Sequence, residues 1–133
     1  MKNYNLFLDD VRIPSDAFNY TKDSGYLKKD WATVRNFEDF CNYIEVEFKE
    51  GKFPGLISFD HDLMDIHYET GDRGDVKGHE NLEKTGYHCA KWLCEFCIDN
   101  KMKLPSVLVH SMNPIGADRI KSIIKDYKRE FEL

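Results

Sequence analysis

The sequence predicts an α/β domain: a three-layer sandwich in which helices cover both faces of a short, mostly parallel four-stranded sheet. Short apolar runs alternate with amphipathic helical patterns along the chain. Strands separated by helices need crossover connections, which make neighbouring strands parallel. The 133 residues, of which 41% are hydrophobic, suffice for one core, so we expect a single domain over residues 1–133.

The predicted strands are apolar runs that end in polar residues, and they cover 5–9, 31–35, 56–60 and 106–110. Asn36 is a good N-cap, so a helix follows the second strand and ends at Gly51. Another helix is predicted over 87–100, and the last begins with Asn113 as its cap and Pro114 at its first position. The connections 14–30 and 61–85 show no helical pattern, and the second is long enough for a binding element or a lid.

Charge and apolar patterning exclude two broad classes of protein. Lys and Arg number 19 and Asp and Glu number 24, so the formal net charge is −5, which argues against a general nucleic-acid binder. The apolar runs are too short to span a bilayer, and the first residues lack the apolar core of a signal peptide. We therefore expect a cytoplasmic protein with no membrane partner. Its cysteines are predicted to be buried, reduced thiols: Cys41, Cys89, Cys94 and Cys97.

Carboxylates follow two of the predicted strands. Asp9 and Asp10 end the first strand, and Asp60 and Asp62 end the third. The carboxyl ends of parallel strands meet at one edge of a sheet, where clustered carboxylates repel one another unless a cation neutralises them. The sequence therefore predicts a site for Mg²⁺, with Mn²⁺ or Ca²⁺ as alternatives, held by Asp9, Asp10 and Asp60. Asp62 is either a fourth ligand or a group that supports the ligands.

This metal site sets a condition on the backbone and has a simpler alternative. Adjacent side chains of an extended strand point to opposite faces, so Asp9 and Asp10 can both reach one ion only if the chain turns there. In the alternative interpretation, that pair caps a strand end and the carboxylates of 60–62 lie in a solvated turn.

Polar residues at the end of the fourth strand predict a phosphate site. They precede a helix N-terminus, where backbone N–H groups and the helix dipole favour an anion. We expect the phosphate to bind Ser111, Asn113, Gly116, Arg12 and Arg35. His61 and His110 are the candidate general acids or bases. Alternatively, Asn113 is only a helix cap, His110 is a core histidine, and the arginines are surface residues.

Asp9 and Asp10 after the first strand, Asp60 after the third and Ser111 after the fourth resemble the receiver domain of bacterial response regulators. In that family the three aspartates bind Mg²⁺, the third one accepts a phosphoryl group, and a Ser or Thr contacts that group. A receiver domain also has a fifth strand preceded by a lysine that pairs with the phosphate. This sequence shows no counterpart of either.

A closer resemblance is to the cyclic-phosphate-processing receiver-like domain family. The matching motifs are L-D-D-V-R-I-P at 8–14, D-H-D-L at 60–63, T-G-Y at 85–87 and H-S-M-N-P-I-G at 110–116, and the segment 31–35 matches too. The resemblance implies a truncated receiver-like (flavodoxin-like) fold with strand order 2-1-3-4. It also implies the handling of cyclic phosphates of RNA ends or nucleotides. The stretch 64–84 resembles an expanded form of a shorter family loop.

Two functions compete on these residues. The first is a metal-dependent phosphoesterase or phosphodiesterase that acts on a small cyclic or terminal phosphate of a nucleotide or RNA end, with His61, His110 and Asp60 as catalytic residues. The second is a binding module, or a switch that is phosphorylated on Asp60. The loop 64–84 is predicted to be a mobile cover of the pocket, with His67 or His79 contacting the substrate. Its alternative is an exposed insertion with no role.

Overall fold

The computed structural model describes residues 1–63 and 84–131. The strands in this part are β1 (Lys2–Leu8), β2 (Ala32–Val34), β3 (Lys52–Phe59) and β4 (Ser106–Val109). The helices are α1 (Pro14–Thr21), α2 (Gly25–Lys28), α3 (Phe37–Lys49), α4 (Gly86–Asn100) and α5 (Pro114–Phe131). None of these helices combines the length and the apolar character needed to cross a membrane.

The sheet confirms the predicted architecture and strand order. Its order is β2-β1-β3-β4, and every pair is parallel. Leu8, the last residue of β1, is in register with Val34 and with Phe59, and Phe59 is in register with Val109. The four strands therefore end at the same level, and the residues that follow them meet at one edge.

Helices cover both faces of this sheet. On one face, Leu6 and Leu8 of β1 belong to a large core with apolar residues of α3, α4 and α5. On the other face, Phe7 packs with Ala17 of α1 and Tyr26 of α2 in a smaller core. All three β1 side chains are completely buried, so the strand lies inside the three-layer sandwich.

The connection 14–30 is helical, which corrects the expectation that it has no helical pattern. Pro14 opens α1, and the backbone N–H of Ile13 donates to the side chain of Asp16 at 3.0 Å. Ala17 is the one buried residue of α1, so the helix has no apolar stripe that a periodicity argument could detect.

The predicted caps of α3 and α5 and the burial of the thiols are confirmed, and α4 begins one residue before the predicted position 87. Asn36 caps α3 by accepting from the backbone N–H of Asp39 at 2.8 Å, and Gly51 follows the helix with a φ of 83°. Asn113 caps α5 in the same way, accepting from the N–H of Gly116 at 3.0 Å. The four cysteines are buried and free, and burial raises the pKa of the Cys41 thiol to about 12.

Candidate metal and phosphate site

Three carboxylates meet at the carboxyl edge of the sheet, as the sequence predicts. Asp9 and Asp10 directly follow β1 and Asp60 directly follows β3, and each offers an oxygen within 4.8 Å of the others. The backbone N–H of Asp60 donates to the carbonyl of Leu8 at 3.0 Å, which fixes the two strand ends against each other. This group of oxygens can hold a metal ion.

The turn needed to bring Asp9 and Asp10 to one point is present. The Oδ1 atom of Asp9 accepts from the backbone N–H groups of Val11 at 3.0 Å and of Arg12 at 2.8 Å, so the chain folds back over this carboxylate. Burial raises the pKa of Asp9, but the hydrogen bonds from His110, Arg12 and Val11 outweigh that effect and lower it to about 2. Asp9 is therefore a fixed negative charge inside the protein.

Asp60 has the opposite electrostatic character. Its side chain is only 5% exposed, and burial together with the charges of Asp9 and Asp10 raises its pKa to about 7. The positive charge of Arg12 and the backbone N–H of His61 act against this rise without cancelling it. Burial and these neighbouring charges therefore favour the protonated form of Asp60 in the metal-free protein.

The guanidinium of Arg12 lies next to two of these carboxylates. Its Nη1 atom lies 3.5 Å from Asp9 Oδ2 and 4.0 Å from Asp60 Oδ2, and its side chain is 32% exposed. Arg35 supports the loop instead, since its Nη1 atom donates to the carbonyl oxygens of Arg12 at 2.7 Å and of Asp9 at 3.2 Å. The position of Arg12 is thus compatible with binding a phosphate at this site. Arg35 contacts the backbone, which gives it a structural role instead.

His110 lies behind the carboxylates in a chain of buried hydrogen bonds. It is 1% exposed and stacks on the ring of Phe7, with 4.4 Å between the ring centroids. Its Nε2 atom lies 3.0 Å from Asp9 Oδ2, and its Nδ1 atom lies 2.7 Å from the hydroxyl of Ser58, which in turn lies 2.6 Å from the Tyr26 hydroxyl. Because a carboxylate only accepts, the Nε2 hydrogen goes to Asp9 and the Ser58 hydroxyl donates to Nδ1.

Sequence reasoning missed Ser58 and Tyr26. The signal for Ser58 is a hydroxyl in the middle of an apolar run, L-I-S-F at 56–59, where a buried polar group needs a partner. Tyr26 offers no such signal, because it belongs to α2 and reaches Ser58 only through the tertiary fold. Burial lowers the pKa of His110 and the contact with Asp9 raises it, with a net decrease that favours the neutral ring.

Replacing Ser58 by Ala should lower the free energy of unfolding by about 1–3 kcal/mol, because it leaves the Tyr26 hydroxyl and His110 Nδ1 buried without their shared partner. Urea unfolding monitored by circular dichroism measures the change. Ser106→Ala, at an exposed position of β4, is the matched control and should change little. A Ser58→Ala protein as stable as the wild type would show that this hydrogen-bond chain contributes nothing to the fold.

The fourth strand end meets the third one through side chains. The Nδ2 atom of Asn113 donates to both oxygens of Asp62, at 3.2 and 3.4 Å, and His61 Nδ1 lies 2.8 Å from Asp62 Oδ1. Asp62 is half exposed and is not among the three clustered carboxylates. It lies next to the metal site and accepts hydrogen bonds from side chains there. The ring of His61 is buried, and its Nε2 atom has no hydrogen-bond partner in the described ranges.

Two backbone N–H groups at the start of α5 already have hydrogen-bond acceptors within the protein. The N–H of Gly116 is already bound by its cap, and the N–H of Asn113 donates to the hydroxyl of Ser111 at 3.1 Å. Gly116 has another role, because a Cβ atom there would lie 2.3 Å from the ring of His61. Ser111 accepts in its contact, so its own proton can be donated to an anion. The predicted cover is 64–84, and all of it except Lys84, including His67 and His79, lies outside the described residues.

Comparison with known proteins agrees with this arrangement. The family model of the cyclic-phosphate processing Receiver domain matches residues 4–126 of the chain, and that span includes every side chain of the site described above. Comparisons with curated proteins and with solved structures gave no significant match. By its fold, its strand-end carboxylates and this match, the chain belongs to the cyclic-phosphate processing Receiver domain family.

Proposed function

We propose that the protein binds Mg²⁺ at Asp9, Asp10 and Asp60 and hydrolyses a small cyclic phosphodiester of a nucleotide or RNA end beside it. The observation that carries the proposal is the convergence of these three carboxylates within 4.8 Å, at the edge where parallel sheets bind their ligands. The guanidinium of Arg12 lies next to them and is partly exposed, so it can also contact a phosphate.

The residues present fit a hard divalent cation. The ligand atoms are carboxylate oxygens without nitrogen or sulfur, a set that favours Mg²⁺, Mn²⁺ or Ca²⁺. Burial, and then the charges of Asp9 and Asp10, raise the pKa of Asp60, and a bound cation would favour its ionised form. When bound, such an ion polarises a phosphoryl oxygen. Asp62 would hold its neighbours His61 and Asn113 in place rather than contact the ion.

The other residues would bind the phosphate and move the proton. Ser111 can donate its hydroxyl proton to a phosphoryl oxygen, and the dipole of α5 favours the anion there. Because Asp62 accepts from His61 Nδ1, the basic nitrogen of the neutral ring is Nε2. A water molecule would attack the phosphorus, form a new P–O bond and lose a proton to His61 Nε2. A P–O bond of the cyclic phosphate would break, and the leaving oxygen would take that proton.

Calorimetric titration tests this function. We expect the wild-type protein to bind Mg²⁺ in this titration. In a separate assay, ³¹P NMR should show that a nucleoside 2′,3′-cyclic monophosphate is hydrolysed to the monoester only when Mg²⁺ is present. Asp10→Asn should weaken Mg²⁺ binding by at least about tenfold, because it removes a charge from the cluster. Asp99→Asn, at an exposed position near the end of α4, is the control and should bind normally.

The competing function predicts a different product. If the domain is a phosphorylated switch, incubation with Mg²⁺ and acetyl phosphate gives a phosphoryl adduct by intact mass, and Asp60→Asn abolishes it. That adduct, together with no hydrolysis of cyclic phosphates, would replace the hydrolase proposal. The same Mg²⁺ affinity in Asp10→Asn and the wild type would remove the metal site itself.

A further inference from the structure

An open groove lies between the start of α4 and the segment 115–126 of α5. Its volume is about 410 Å³, and its walls include Tyr87 from α4 and Ile115, Asp118 and Arg119 from α5. No residue of the predicted metal or phosphate site lines it.

Two glycines next to the wall residues bring the groove close to that site in the chain. Gly86, just before Tyr87, is packed so closely on the carbonyl oxygen of Asp60 that a Cβ atom would lie 1.9 Å from it. Gly116, just after Ile115, is packed in the same way on the ring of His61. Tyr87 and Ile115, one on each wall of the groove, are thus each next in sequence to a glycine that packs on a residue of the site.

The walls offer the chemistry that binds a flat heterocycle. The guanidinium of Arg119 stacks over the ring of Tyr87, 4.3 Å from the ring centroid. Nucleobases stack on such guanidinium and aromatic planes. Ile115 is 75% exposed, so its side chain presents an apolar surface that a ligand can cover.

The charge of the groove favours a base over a phosphate as its ligand. Among the described residues, Asp118 and Asp126 line it together with one cation, Arg119. This excess of carboxylates disfavours an anion, but a carboxylate such as Asp118 can accept from the ring or amino N–H groups of a base.

We propose that this groove binds the base of the nucleoside whose cyclic phosphate lies at the carboxylates and Ser111. The inference rests on the proposed function, and it adds that the substrate is a nucleoside derivative recognised by its base. Tyr87 and Arg119 provide the stacking surface, and Asp118 accepts from the base.

Two probes that differ only in the base test the inference. They are adenosine 2′,3′-cyclic monophosphate and the methyl riboside 2′,3′-cyclic phosphate, titrated into the protein with Mg²⁺ present. We expect the wild type to bind the adenosine compound about tenfold more tightly, a typical effect of stacking one base. Arg119→Ala and Tyr87→Ala should bring the ratio of the two affinities close to one. The control for both is the separate variant Ile98→Ala, at an exposed apolar position at the other end of α4, which should keep the wild-type ratio.

The outcomes separate this inference from the proposed function. Wild-type protein that binds both probes equally, with Mg²⁺, overturns the base groove and leaves the phosphate site standing. Protein that binds neither probe overturns the proposed function itself. Because Tyr87 is partly buried and its variant can lose stability, the exposed Arg119→Ala decides the result. A trinucleotide with the same terminal cyclic phosphate identifies the source of the base: equal binding indicates an RNA end, and weaker binding a free nucleotide.

Discussion

Replacing Asp60 by Asn should stabilise the metal-free protein at neutral and alkaline pH, although it removes a carboxylate from the candidate metal site. Burial and the charges of Asp9 and Asp10 raise the pKa of Asp60 from 3.8 to about 7. Between these values the folded protein keeps a proton that the unfolded chain has lost, so stability falls as pH rises from about 4 to about 7. At about 1.36 kcal/mol per pH unit, the loss is roughly 4 kcal/mol above pH 7, and Asn avoids it.

Urea unfolding in EDTA, repeated from about pH 4 to about pH 9, measures this effect. The wild type and Asp60→Asn should differ least near pH 4 and most above pH 7, with Asp99→Asn as the exposed control. Mg²⁺ should stabilise the wild type and have little effect on Asp60→Asn. If Asp60→Asn is less stable than the wild type at pH 8, burial and the neighbouring charges do not destabilise the ionised carboxylate of Asp60.

Asp9 changes the acid side of the same pH profile in the opposite direction. Its pKa is lowered from 3.8 to about 2, because the hydrogen bonds from His110 and the backbone outweigh burial. The stability that it contributes is fully present above about pH 4 and is lost as pH falls through 2. Metal-free wild-type protein therefore loses stability on both sides of about pH 4 through these two groups, and only the alkaline loss disappears in Asp60→Asn.

The meeting of the carboxylates could be predicted because it depends on local patterns and one topological rule. Asp9 and Asp60 each follow an apolar run, and parallel strands end at the same edge whatever the details of packing. The helix caps Asn36 and Asn113 are equally local, since each accepts from a backbone group three residues ahead.

The remaining features depend on contacts between residues far apart in sequence. Tyr26 reaches Ser58 across 32 positions, and α2, which carries it, has only four residues. Arg35 is predicted to bind a phosphate because it ends a predicted strand, and the contacts of its guanidinium with backbone carbonyls of the loop after β1 depend on the tertiary fold. A sequence pattern places a side chain at an edge of the sheet, but the packing of neighbouring loops decides whether it faces a ligand or the backbone.

Gly86→Ala should strongly destabilise the protein, opposite to the usual effect of this substitution in a helix. Alanine ordinarily favours a helix over glycine by about 1 kcal/mol. Here a Cβ atom at position 86 would lie 1.9 Å from the carbonyl oxygen of Asp60, and that atom belongs to backbone that cannot turn away. The N–H of Gly86 also donates to the carbonyl of His61 at 2.8 Å, so relief of the clash would break this bond. We expect a loss of about 3 kcal/mol, the upper part of the range for overpacking.

Gly25→Ala is the matched control, because Gly25 also opens a helix but its nearest neighbour is the flexible side chain of Asp23, at 3.1 Å. It should change the free energy of unfolding by less than about 1 kcal/mol. Because the clash is with the backbone of Asp60, Gly86→Ala should also weaken Mg²⁺ binding in the fraction that remains folded, measured by calorimetry at low temperature. Wild-type stability and Mg²⁺ affinity in Gly86→Ala would show that the start of α4 can move away from β3 freely. The close packing of Gly86 would then have no part in holding the Asp60 carboxylate at the site.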